Sequence, residues 1–127
     1  MITEDYVSFE TAKLLKEKGF DAECKKYYNL KMLTNLYYGC EYVRNRDLKD
    51  EDDCIAPSIY VTMKWLREKH YKSIEIRSQG LKVTSIGWIV GIYNLVNQDE
   101  EFHHPYTFPT YEEACEAAIK YCLENLI

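Results

Sequence analysis

The sequence lacks every short motif that would announce a chemistry. It has no glycine-rich phosphate loop, no nucleophile elbow, no His-Glu-x-x-His and no Cys-x-x-Cys ligand pair, which removes the familiar signatures of nucleotide binding, acyl transfer and zinc chemistry. Long apolar runs are missing too. Ile86 to Ile92 is the longest near-apolar stretch, far short of the ~20 residues that cross a bilayer. The opening Met-Ile-Thr-Glu-Asp-Tyr carries acids where a secretory leader would carry a basic segment and an apolar run. Cys24, Cys40, Cys54, Cys115 and Cys122 form an odd set, which fits reduced thiols better than a disulfide framework. The expectation from these absences is a cytoplasmic protein with no membrane span, cofactor or bound metal.

What is present is the composition of one ordinary globular domain. At 127 residues the chain is long enough to bury its own core. Its net charge of −5 disfavours broad, charge-driven binding to nucleic acid or anionic membranes. The charge is uneven, however. Asp47 to Asp53 and the segment from Asp99 onward are acidic, whereas Lys64, Arg67, Lys69, Lys72, Arg77 and Lys82 make a basic stripe interrupted only by Glu68 and Glu75.

Periodicity places three helices. Ser8 caps a first helix that ends at Gly19, with Phe20 folding back over its end. Pro57 opens a central helix through His70; Ile59, Met63, Leu66 and His70 share one side, and Val61 with Trp65 share nearly the opposite one. Thr110 and Glu113 form a capping box for a last helix over 110–126, whose buried face includes Cys115 and Cys122. Between the helices, Lys26–Leu30 and Leu36–Val43 read as a tyrosine-rich hairpin, and Ser73–Ser78 with Gly87–Val96 as a second, turning near Gly80. The expected fold is α+β: two layers, one antiparallel sheet of about four strands with helices on one face, in the order α-β-β-α-β-β-α. Residues 12–20 echo residues 63–71, with Lys13, Leu15, Glu17 and Lys18 recurring as Lys64, Leu66, Glu68 and Lys69. A single domain built from two αββ units, 8–43 and 57–96, plus the closing helix accommodates that echo.

The function expected is a small non-enzymatic interaction or accessory protein. Twelve tyrosines are many for this length, and tyrosine suits binding surfaces because its ring buries while its hydroxyl still finds a partner. The candidate binding residues are Tyr37, Tyr38 and Tyr42 of the first hairpin and Trp65 with Lys64, Arg67 and Lys69 of the central helix. The partner would be another protein or a second copy meeting an open sheet face. Two alternatives stand beside this. The basic stripe Lys64–Lys82, with Trp65 and Tyr71, could engage single-stranded nucleic acid. A Cys-dependent enzyme would use Cys54 or Cys40 with His70 or His103 and would need a thiol of low pKa. The acids of 47–53 lack the glycine and closing glutamate of a calcium loop, and the adjacent His103 and His104 point apart on extended backbone.

Several stretches also carry a resemblance: Glu4–Glu10 with Ala12–Phe20, Ala56-Pro57 with Met63–Glu68, and Tyr111–Ala114 through Leu126. They resemble a group of small uncharacterised proteins from gut anaerobic bacteria and their prophages. The resemblance implies a mobile-element setting. It implies no activity and no site residues, and the tyrosine hairpin and acidic loop depart from it.

Overall fold

Ser8 accepts a hydrogen bond from the Thr11 amide, and helix α1 (Phe9–Glu17) follows. Gly19, at φ 85°, ends it in the left-handed conformation that glycine adopts without steric cost. The Phe20 amide then donates to Leu15 O and the Gly19 amide to Lys16 O, the paired bonds of a Schellman closure. Phe20 is fully buried over the helix end. The computed structural model in which these features occur describes residues 2–29, 36–79 and 87–127, with the backbone alone at 36–38 and 40. Leu30 and the link that follows it, the turn near Gly80, and Lys82 lie outside the described residues.

The chain divides into two compact units, Met1–Ser58 and Ile59–Ile127. In the first, strand β1 (Cys24–Tyr28) pairs antiparallel with β2 (Leu36–Val43) and, on its other side, with β3 (Cys54–Ile55). The order is β2-β1-β3. Helix α1 packs on β3, and Val7, Ala12, Leu15, Phe20, Ile55 and Ala56 form the core. The acidic connection is fastened at several points. Lys16 Nζ donates to the carbonyls of Glu51 and Asp53, both at 2.6 Å, and Asn45 bridges Phe20 O and the Ile55 amide.

In the second unit, α2 (Ile59–His70) leads into β4 (Lys72–Gln79), β5 (Gly87–Asn94) and β6 (Glu100–His103), then α3 (Tyr111–Tyr121). The sheet order is β4-β5-β6, antiparallel throughout. Helices α2 and α3 pack on this sheet. Its helix side carries Ile74 opposite Ile92 and Ile76 opposite Val90. Ile74, Val90 and Ile92 form the core with Leu66, Ile119 and Leu123, and each large aliphatic side chain removed from water there contributes about 1.5–3 kcal/mol. The last turn, Cys122–Leu126, is a π-helix.

The α+β class and the three helices stand as read from sequence, but the single sheet of about four strands does not. Among the described residues there are two three-stranded sheets. Each hairpin gains its third strand from the segment that follows it, β3 from the end of the acidic stretch 47–53 and β6 from the acidic segment that begins at Asp99. Both added strands are short, two and four residues, so neither shows a hydrophobic alternation. The two sheets also differ internally: β1, the first strand of its hairpin, is central in one, and β5, the second strand, is central in the other.

Helix α2 departs in two ways. It begins at Ile59, with Pro57 ahead of it in an extended stretch whose carbonyl accepts from the Val7 amide at 3.1 Å. Its buried centre is Thr62 and Leu66, both fully inaccessible. Ile59 and Met63 on one flank and Val61 and Trp65 on the other are half-buried. What reads as two apolar stripes is one broad face with a buried threonine at its middle.

Candidate functional site

Strand β6 leaves its ladder early and rejoins it. The His104 amide still donates to Val90 O at 3.1 Å, and Trp88 then exchanges two bonds, of 2.9 and 2.8 Å, with Phe108. Four steps along this edge therefore oppose two steps of β5, and Pro105, Tyr106 and Thr107 bulge outward. Gly87 permits the return: a Cβ there would sit 2.6 Å from Thr107 Cβ. The bulge is closed on His104 Nδ1, which lies 2.9 Å from the Tyr106 carbonyl oxygen and 3.1 Å from the Tyr106 amide nitrogen.

Between this bulge and the end of α3 lies a half-open cleft of about 300 Å³. Val90, Phe102, His104 and Phe108 line the sheet side; Ala117, Ala118 and Tyr121 line the helix side. Phe102 stacks on Tyr121 with ring centroids 3.7 Å apart, and His104 leans over Phe108 at 4.6 Å. Lys120, Glu124 and Asn125 complete the lining. Lys120 and Glu124 are 4.0 Å apart, a weak i,i+4 pair. The π-turn shapes this wall, and within it Asn125 Nδ2 donates to Tyr121 O at 3.2 Å.

Behind the cleft, a bulge between Ile92 and Tyr93 inserts Glu101 into β6. The extra residue turns the Glu101 carboxylate to the helix side, where Lys72 and Asn94 are cross-strand partners. Lys72 Nζ donates to both carboxylate oxygens, at 2.8 and 2.6 Å, and Asn94 Nδ2 donates at 2.9 Å. These bonds hold the Glu101 carboxyl below its ordinary value of 4.5. Lys72 is thereby committed to the protein interior.

The described thiols are not activated. Burial pushes Cys24, Cys54 and Cys115 up to about 11 and Cys122 to about 12, so at neutral pH they are protonated and weakly nucleophilic. Cys54 is fully buried, and the Cys40 side chain lies outside the described set. Among the described residues no group of three or more His, Cys, Asp or Glu side chains is placed to hold a metal ion, and no helix is long and apolar enough to cross a membrane.

The residues singled out from sequence do not converge on one site. Trp65 is half-buried with its ring edge against His70 at 4.6 Å. Lys64 and Lys69 are exposed, Lys64 beside Glu68 at 4.0 Å, and Arg67 is half-buried. The basic stripe is divided, because Lys72 faces the core of its sheet while Arg77, five residues on, is exposed on the other side. Tyr71 is exposed. Tyr42 is exposed with Lys25 Nζ 4.9 Å from its ring centroid; Tyr37 and Tyr38 lie on β2 opposite Tyr27 and Lys26. His103 is exposed and His104 enters the cleft. The cleft residues Phe102, Phe108, Ala117 and Tyr121 went unremarked as a group because they meet only in space. The one local signal was the His103-His104 pair, which puts one imidazole on each side of the strand.

No family model, curated protein or solved structure matches this chain.

Proposed function

We propose that this chain is a small, non-catalytic protein-interaction module whose second unit engages its partner through the aromatic cleft. The observation that carries the reading is a half-open apolar cleft of ligand-pocket size with a few polar groups at its rim. No nucleophile of lowered pKa stands beside it, and the described thiols are shifted the opposite way. A partner other than a second copy is favoured by the sheet face turned away from α2 and α3. There Ile89 and Tyr93 alternate with exposed Glu75 and Arg77, and the Tyr93 ring lies over the gap at Gly91, 3.1 Å from where a Cβ would stand. That face is self-covered and charged rather than a continuous apolar patch. The resemblance to prophage-associated proteins fits an accessory role in a mobile element.

Selection of a random peptide library against the folded chain tests the reading. Enrichment of peptides sharing a motif is the expected result. No enrichment on a chain shown to be folded and monomeric by light scattering would remove it.

A further inference from the structure

The two edges of the second unit's sheet are unlike. The β6 edge carries the bulges at Glu101 and at 105–107. Strand β4, at the other edge, pairs with β5 residue for residue from Lys72 opposite Asn94 to Gln79 opposite Gly87, with no bulge and no proline. Trp88, Val90 and Asn94 hydrogen-bond toward β6, whereas the Leu95 amide donates to Tyr71 O. The alternate residues of β5 therefore face β4. On β4 itself the backbone groups of Ser73, Glu75 and Arg77 are spent on β5, while Ile74, Ile76 and Ser78 aim their N–H and C=O groups outward. Among the described residues those outward groups have no backbone partner. An unbroken edge of this kind is a template for another strand.

We infer that the strand added there is β4 of a second copy, joined antiparallel about a twofold axis at Ile76. In that register Ile76 meets its own counterpart and Ile74 meets Ser78 of the other copy, each pair exchanging both backbone bonds. Glu75 then stands opposite Arg77 of the other copy, and Arg77 opposite Glu75, in the close positions between bonded pairs. Both side chains are exposed on the face turned away from the helices, where opposite charges attract and like charges repel. Sliding to the next allowed register in either direction sets Glu75 against Glu75 or Arg77 against Arg77, so the charges select one register. Ile76, half-buried on the helix side, gains an apolar neighbour. Joining edge to edge uses neither the open sheet face nor the cleft, which lies toward the β6 edge, and so stands apart from the interaction reading. A joint of two strands falls at the low end of interface sizes, under about 1,200 Å², so the pair is weak and the dilute chain is a monomer.

The test is sedimentation velocity and NMR of the isotopically labelled full chain from about 10 μM to 1 mM. Expected are a rise of the weight-average mass toward twice the monomer's and concentration-dependent shifts centred on the Ile74, Ile76 and Ser78 amides. A chain that stays monomeric throughout overturns the inference, as does association that leaves those amides unshifted. Glu75→Arg and Arg77→Glu should each weaken association about tenfold or more, and an equimolar mixture of the two should restore it, because every facing pair is again opposite in charge. Unweakened single variants, or a mixture no stronger than its parts, overturn the register. Ser78→Pro removes an outward donor without touching the ladder to β5 and should abolish association even if a charge variant fails to fold; unchanged association in it overturns the inference. Library-selected peptides that shift the Ile76 and Ser78 amides of a chain that does not self-associate would give the edge to a different partner and overturn the second copy.

Discussion

Glu101 shows how one side chain couples a backbone irregularity to stability. The bulge that aims it at Lys72 places an ion pair where the two side chains are only 11% and 22% exposed. Glu101→Gln would leave the Lys72 ammonium without its counter-charge, and a loss of about 2–3 kcal/mol in urea denaturation is expected, somewhat less than for a fully buried pair. The pH dependence follows from the lowered carboxyl pKa. A group held below its unfolded value stabilises the fold above that value and loses the contribution as pH falls through the folded one. Stability of the parent should therefore decline from about pH 4.5 downward, with a shallower decline in Glu101→Gln. Tyr71 offers the opposite sign. It follows α2 at φ 56° with its ring exposed, a conformation costly for a side chain with a Cβ. Tyr71→Gly should raise stability by about 0.5 kcal/mol, the relief of strain being partly offset by glycine's larger unfolded-state entropy; a lower midpoint would mean that the tyrosine ring contributes packing.

Among the elements, the β6 edge is the most sensitive. Gly87→Ala places a methyl group against Thr107 and should cost about 1–3 kcal/mol, with resonances of His104 and Phe108 shifting as the return strand is pushed off β5. Unperturbed His104 and Phe108 signals in that variant would mean that Thr107 moves aside freely. The same edge marks the limit of what the sequence discloses. Helix ends were legible because their signals are local: Ser8 to Thr11, Gly19 to Lys16, Thr110 to Glu113. Strands β2, β4 and β5 were legible because β-branched and aromatic side chains recur within one segment. Strand β6 was not, because Glu100-Glu101-Phe102-His103 becomes a strand only through β5, and the bulge at Glu101 breaks the alternation that would betray it. Thr62 hid the centre of α2 for a related reason: its hydroxyl reads as surface, yet the residue is fully enclosed. The cleft required residues 90, 102 and 108 to meet 117–121, a long-range arrangement with no local mark.

The molecule as a whole is two consecutive units, each with its own helix-and-sheet core. A fragment spanning 59–127 should retain the dispersed NMR spectrum of β4–β6, since the cleft and the Lys72–Glu101 pair both lie inside it; a collapsed spectrum would show that this core depends on the first 58 residues. The thiols give a second test at this scale. Cys54, Cys115 and Cys122 should react with a disulfide reagent only at the rate of unfolding, because they are buried and protonated.

The division at Ser58 also has a temporal meaning. Among the described residues every strand partner of the first unit lies before the boundary, so its sheet forms from the earlier part of the chain. At ~5–20 residues per second the 69 residues of the second unit take roughly 3–14 s to appear, long compared with the folding of a small α/β domain. The acidic connection, drawn in by Lys16 and Asn45, can thus close over the first core while the second is still on the ribosome, and the nascent chain presents one finished unit rather than two competing hairpins.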